Sequence, residues 1–279
     1  MSVVLAIERL NVSIGAARLL KDITLEVSAG EVHGLVGMSG AGKSMIARAI
    51  LGVLPPSVRI TSGSIRFADA EIVNLPPMEM RRLLARGIAL IPQDPLSALN
   101  PTRRIEYQMT DVMRGRLGLS ASAARGRALA LLDEVQVREP ESVLRRYPHE
   151  ISGGQRQRVL IAIAFACAPR LIIADEPTTA LDVTVQKQIL RLIHDLRRRH
   201  GTAILFVTHD LGVVAKICDS ISVMREGAIL EQGLVADVIA APRHAFTRAL
   251  FAATPRHDRP DQDLRPVPDV LQHAVSVPL

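Results

Sequence analysis

Val3 to Leu10, apolar but for Glu8-Arg9, and the alternating Ile23-Thr24-Leu25-Glu26-Val27 predict a pair of antiparallel strands. Val32-His33-Gly34-Leu35-Val36 is denser in apolar residues and predicts a further strand. The run from Lys43 to Leu54 has helical spacing, with Pro55-Pro56 as its stop. Ile60 to Val73 predicts another strand pair, broken at Gly63, and Ile88-Ala89-Leu90-Ile91 a short buried strand ending at Pro92-Gln93. From about Asp94 to Pro148 the pattern is helical and rich in Ala, Arg and Leu, and Arg156 to Ala168 predicts an apolar helix. Leu171-Ile172-Ile173-Ala174 and Thr202 to Val207 are short apolar runs suited to parallel strands covered on both faces. Between them Val185, Ile189, Leu192 and Leu196 recur at helical spacing, and Gly201 closes that helix. Strands alternating with helices define an α/β fold. From Pro255 onward, prolines and weak periodicity predict a loosely ordered tail.

Composition narrows the class. The 279 residues, 48% apolar, can bury one large core with a subdomain. The longest apolar run, Val159 to Ala168, is far short of the ~20 residues that span a bilayer, and the N-terminus lacks a secretory layout. Cys167 and Cys218 fall on separate apolar helical stretches and are expected to be free buried thiols in a reducing cytoplasm. A net charge of +6 raises nucleic acid as a ligand, but the arginines are dispersed, aromatics are 3% and Trp is absent. The basicity is therefore assigned to solvated surface facing a membrane or an acidic partner, with no nucleic acid.

Chemistry enters at Gly37-Met38-Ser39-Gly40-Ala41-Gly42-Lys43-Ser44, which reads G-x-x-x-x-G-K-[ST] between a strand and a helix. The glycines let backbone N–H groups wrap a di- or triphosphate. Lys43 can reach the β/γ oxygens, Ser44 can ligate Mg²⁺, and the helix N-terminus adds its positive end. Ser152-Gly153-Gly154-Gln155, at the start of the next apolar helix, exposes a second set of N–H groups beside a hydroxyl, a second anion-binding element. Leu171 to Ala174 delivers Asp175 and Glu176 to a strand end, where parallel sheets bind ligands. Asp175 suits Mg²⁺ through water, and Glu176 can polarise a water for in-line attack on a γ-phosphate. Gln93 and His209 end two further strands and can reach metal, water or phosphate there. Taken singly, these are a turn, an N-cap pair, a structural histidine and an uninformative glutamine. Taken in this order they converge on one phosphate site.

That order resembles the ATP-binding-cassette (ABC) ATPases over roughly residues 3 to 255. The phosphate loop corresponds to their Walker A motif, Gln93 to the Q-loop and Ser152 to Gln155 to the signature. Asp175-Glu176 ends the Walker B strand, Ala180-Leu181-Asp182 is the D-loop and His209 the switch histidine. Gln93 to Pro101, Tyr147-Pro148-His149-Glu150, Asp175 to Thr184 and Pro242 to Leu250 resemble the oligopeptide, dipeptide and nickel importer ATPases, and Pro-Thr-Thr-Ala-Leu-Asp the first of their two ATPase subunits. The resemblance implies a RecA-like core with an antiparallel β subdomain at 1–94 and 166–240, a helical subdomain at 95–165 and a C-terminal extension at 241–279. It implies ATP and Mg²⁺ as ligands and a related second ATPase whose signature, with Asp182-type contacts, completes each site. Two membrane permeases and, indirectly, a solute-binding protein complete the importer, with this chain peripheral on the cytoplasmic membrane face. Two departures stand out. The aromatic that stacks on adenine is replaced by aliphatic Ile14, and no cysteine follows Cys218, so no iron–sulfur centre is expected. The compact C-terminus favours a metal chelate over a peptide. The alternative, a soluble ABC ATPase of DNA repair or translation, would need coiled coils, zinc modules or a second cassette.

Overall fold

The computed structural model describes residues 2–179 and 181–253; the tail from Pro255 and Ala180 of the D-loop segment lie outside the described residues. In chain order the first elements are β1 (Val3–Ile14), β2 (Ala17–Ser28), β3 (Val32–Gly37), α1 (Lys43–Leu51), β4 (Val58–Phe67), β5 (Ala70–Glu71), α2 (Pro77–Gly87) and β6 (Ile88–Ile91). Next come α3 (Pro95–Ala98), α4 (Ile105–Leu117), α5 (Ala121–Glu134), α6 (Pro140–Arg145) and α7 (Gly153–Phe165). Then follow β7 (Leu171–Asp175), α8 (Val183–His200), β8 (Ala203–Thr208), α9 (Leu211–Ile217), β9 (Ser220–Arg225), β10 (Ala228–Leu234), α10 (Val235–Ala240) and α11 (Ala245–Ala252). Two compact units result, one of residues Leu75–Ile204 and one joining Ser2–Asn74 to the chain from Leu205 onward.

In the strand-rich second unit, β2, β1, β4 and β5 form an antiparallel sheet. Its apolar residues Leu5, Ile7, Leu10, Leu20, Ile23 and Ile65 are fully buried; β2 alternates as predicted over Ile23 to Val27, whereas Val4 to Ile7 of β1 are buried without a break. Gly63 does not break β4. It has φ +91°, and a Cβ there would lie 2.4 Å from the Arg9 carbonyl oxygen, so glycine lets β4 cross a bulge in β1 at close range. Asn11, 7% exposed, fills that bulge: its amide nitrogen is 3.0 Å from Arg9 O, 2.9 Å from Asp22 Oδ1 and 3.0 Å from Ser62 Oγ. A second layer of the unit places β3 between β9 and β8, with β3 parallel to β9 from His33↔Ser220 to Gly37↔Met224. Val36, Leu211, Val214, Ile221, Val223 and Phe246 make its core.

α1 stops earlier than its prolines suggested. Gly52 adopts φ +66° and its N–H returns to Ala49 and Arg48, a left-handed cap that ends the helix before Pro55.

In the other unit β6 and β7 pair in parallel, Ile88↔Leu171 to Ile91↔Ala174, and all four residues Leu171 to Ala174 are buried. The remaining described elements there are helices, with Met109 and Met113 of α4, Leu132 of α5, Leu144 of α6 and Ile161 of α7 buried. α8 buries Ile189, Leu192 and Leu196 on the predicted stripe, and Gly201 caps it at φ +64°. Neither cysteine forms a disulfide among the described residues; both are half-buried and lie at helix ends rather than inside helices: Cys167 follows α7 and Cys218 caps α9.

Candidate functional site

Within the strand-rich unit, buried β3 runs into the phosphate loop and α1 begins at Lys43. Gly40 and Gly42 take φ +80° and +102°, conformations closed to side-chain-bearing residues without strain. A Cβ on Gly37 would fall 2.4 Å from the Met224 carbonyl oxygen. Lys43 is 5% exposed, and its ammonium donates to the carbonyls of Gly37 (2.8 Å) and Met38 (3.0 Å), curling over the loop's inner rim. Ser39 is exposed, Ala41 buried, and Ser44 occupies the first helical turn, whose N–H groups point out of the helix ladder.

Sequence reasoning missed the loop's outer support, the β9–β10 turn at Glu226-Gly227. Gly227 N–H donates to Ala41 O (3.0 Å), while Lys21 N–H donates to Gly227 O (2.7 Å). Gly227 has φ +78°, and a Cβ on it would sit 2.1 Å from Leu19 O. A glycine between alternating segments signals a hairpin turn; nothing in its spacing says what the turn touches.

Also in this unit, Ile14 ends β1 at 40% exposure, paired with Ala17 and Val58. His209 follows β8 and is exposed, ahead of Asp210, which caps α9. His33 proves structural: buried on β3, its Nε2 is 2.9 Å from Ser222 Oγ and its Nδ1 2.7 Å from Ser220 Oγ. Beside it, burial alone would push the Glu31 carboxyl up. Hydrogen bonds from His33, Ser220 and the Ser28 N–H outweigh that and bring it down to about 2.

Within the helical unit, β7 delivers half-buried Asp175 and Glu176. Glu176 is left-handed, φ +46°, unusual for a residue with a side chain. Its carbonyl accepts from Thr179 N–H (3.1 Å), and its Oε2 accepts from both the Thr179 hydroxyl (2.9 Å) and the Gln93 amide (3.2 Å). Gln93 and Glu176, far apart in sequence, thus meet.

Ser152 caps α7 in a reciprocal box: its Oγ accepts from Gln155 N–H (3.2 Å) and Gln155 Oε1 accepts from Ser152 N–H (3.0 Å). No atom lies within 4 Å of a Cβ on Gly153, and only Val185 Cγ1, at 3.5 Å, near one on Gly154. Packing does not demand these glycines; the bare helix start suits close approach of an anion. Asp182 serves as the α8 cap, accepting from Thr184 (3.0 Å) and Val185 (2.9 Å) N–H.

Among the described residues no group of three or more His, Cys, Asp and Glu is set to hold a metal alone. In the helical unit the amide oxygen of Gln93 and the carboxylate of Asp175, and in the strand-rich unit the hydroxyl of Ser44, are hard oxygen donors of the kind that suits Mg²⁺.

A strand–loop–helix phosphate cradle with a buried lysine, and a carboxylate turn set at the end of a buried parallel strand, define a P-loop nucleoside triphosphatase. More narrowly, residues 20–179 match the ABC transporter family, and the chain belongs to it. It is 45% identical to the probable D,D-dipeptide transport ATP-binding protein DdpD of Escherichia coli, over 99% of this chain and 85% of that one. To the oligopeptide transport ATP-binding protein OppD of Salmonella typhimurium it is 43% identical, over 95% and 78% of the two chains. Among solved structures, cbiO1 of Clostridium perfringens, part of an ABC transporter complex, matches with TM-score 0.76 and 27% identity over 93% of this chain and 97% of that one. A dimeric ATP-binding cassette bound to ADP and phosphate in a post-hydrolysis state matches with TM-score 0.73 and 25% identity, over 83% and 98%. The chain is therefore an ATP-binding, ATP-hydrolysing ABC subunit homologous to peptide importer ATPases. The DNA-repair or translation reading finds no support in these relatives.

Proposed function

We propose that this chain is one of two different ATPase subunits that power import of peptides, acting at the cytoplasmic membrane face on two permeases fed by a solute-binding protein. Likeness over almost the whole chain to proteins named for dipeptide and oligopeptide transport supports the peptide class. The metal-chelate alternative has no comparable support. No helix among the described residues is long and apolar enough to cross a membrane, which agrees with a peripheral subunit.

The chemical reading rests on one observation: a single Glu176 oxygen takes hydrogen bonds from Gln93 and Thr179, so the carboxylate is held in one orientation. Gly37, Ser39, Gly40, Ala41 and Gly42 wrap the phosphates of ATP. Lys43 exchanges its two loop carbonyls for phosphate oxygens, because a charge-assisted bond to an anion is the stronger one. Ser44, Gln93 and Asp175 would hold Mg²⁺, which neutralises phosphate charge when bound. Glu176 orients the attacking water, His209 bonds the γ-phosphate, and Ile14 lies against the adenine. Ser152, Gly153, Gly154, Gln155 and Asp182 serve the nucleotide held by the second ATPase. In this reading residues 1–94 and 166–240 are the catalytic core, 95–165 the helical lobe that meets the permeases, and 241–279 an extension.

Three variants test the chemistry. Glu176→Gln should keep ATP binding and lower turnover by about two to four orders of magnitude. Asp175→Asn should weaken Mg²⁺-dependent binding, and Lys43→Ala nucleotide binding itself. Steady-state turnover with nucleotide titrations separates them; near-normal turnover in Glu176→Gln removes that residue from its role. For cargo, reconstituted transporter should raise its ATPase rate with peptide-loaded binding protein and not with a nickel chelate.

A further inference from the structure

A buried polar side chain on a helix needs a partner. Gln157, on α7, is 1% exposed, and its amide donates to the carbonyl oxygen of Pro177 at 2.6 Å. Pro177 directly follows Glu176, whose left-handed backbone holds its place only if the surroundings enforce it. The proline ring already fixes one of residue 177's two soft dihedrals. Anchoring its carbonyl fixes the other. The residue after Glu176 is then rigid, the residue before it belongs to β7, and Thr179 N–H closes the turn on the Glu176 carbonyl.

The anchor itself is well held. Arg156 Nε donates to Pro148 O (2.6 Å), and Arg158 donates to Val135 O (2.7 Å) and Gln188 Oε1 (3.0 Å), so the turn of α7 that carries Gln157 is fastened on both sides. We propose that Gln157 is a positioning residue for hydrolysis: by gripping the Pro177 carbonyl it fixes the turn that aims the Glu176 carboxylate. The inference rests on the reading of Glu176 as the group that orients the attacking water. Gln157 is buried and acts through the backbone. Gln93 and Thr179 steady the carboxylate at its tip, and Gln157 steadies it at its root.

Gln157→Leu keeps the side chain's bulk and removes the donor. It should lower kcat roughly ten- to a hundredfold, with nucleotide Kd and KM within about twofold of wild type. In a Glu176→Gln background, where no carboxylate is left to aim, the same substitution should cost nothing further. Single-turnover hydrolysis of labelled ATP reads the slow rates. If the leucine variant does not fold, Gln157→Met keeps the length, loses the donor and is read through the same cycle. An equal loss in both backgrounds, or a raised KM at unchanged kcat, overturns the proposal and leaves Glu176 in its role. Near-normal turnover of Glu176→Gln alone would instead overturn the underlying reading.

Discussion

Two glutamates in this chain carry opposite messages. Glu31 is locked into a structural cluster with His33 and Ser220, its pKa down at about 2 against an ordinary 4.5. A depressed carboxylate pKa favours the folded state above the unfolded value, and that gain fades as pH falls from about 4.5 toward 2. Glu31→Gln should therefore melt below wild type at pH 7, with the gap closing by pH 2 to 3 in thermal unfolding scans. A gap independent of pH would show that the charge is not what matters. Glu176, half-buried at the end of β7, instead takes hydrogen bonds from the Gln93 amide and the Thr179 hydroxyl. Motif order disclosed that residue; its left-handed backbone, and the grip on Pro177 behind it, arise from packing and leave no local sequence signal. Ile14 lies between these cases. Without an aromatic ring, which gives on the order of 1–3 kcal/mol on stacking, affinity should depend mostly on phosphates. ATP should be only modestly preferred over GTP, and Ile14→Tyr should tighten ATP several-fold with little change in saturated turnover. Strong wild-type selectivity for ATP with no gain from tyrosine would end that idea.

At the scale of elements, periodicity predicted most strands and helices up to β8 but marked neither α2 nor the elements from α9 onward, and three glycines act in ways it did not reveal. Gly52, Gly63 and Gly227 each do something that their own neighbourhood in sequence does not reveal. Gly52 ends α1 before the prolines can, Gly63 admits a bulged neighbour, and Gly227 braces the phosphate loop from a distant hairpin. The last of these is testable. Gly227→Ala adds strain at φ +78° and a contact of 2.1 Å with a backbone oxygen that no side-chain motion can relieve. It should weaken ATP binding several-fold as well as lower Tm. Gly118→Ala is the control: it has φ +66° with nothing within 4 Å, so it should cost stability, about 1 kcal/mol, and leave ATP affinity alone. Equal ATP affinities in the two variants would separate the hairpin from the loop.

For the whole molecule, family and fold were legible because the motifs fall in a fixed order on alternating strands and helices. Cargo was not, since none of these residues is read as touching it. The shared-site reading predicts that isolated chain is mostly monomeric and slow, and that the assembled transporter holds one copy beside a different ATPase. Light scattering after size exclusion decides this; two copies and no second ATPase would refute it. The Gly227 brace adds a consequence in time. The phosphate loop leaves the ribosome early, yet the turn that ties down its Ala41 carbonyl is made only after α9 and β9. Ribosome-stalled chains that end before β10 should therefore carry a complete phosphate motif and still fail to retain ATP. Nucleotide binding then serves as an inspection stamp, applied only to chains whose synthesis has passed the hairpin.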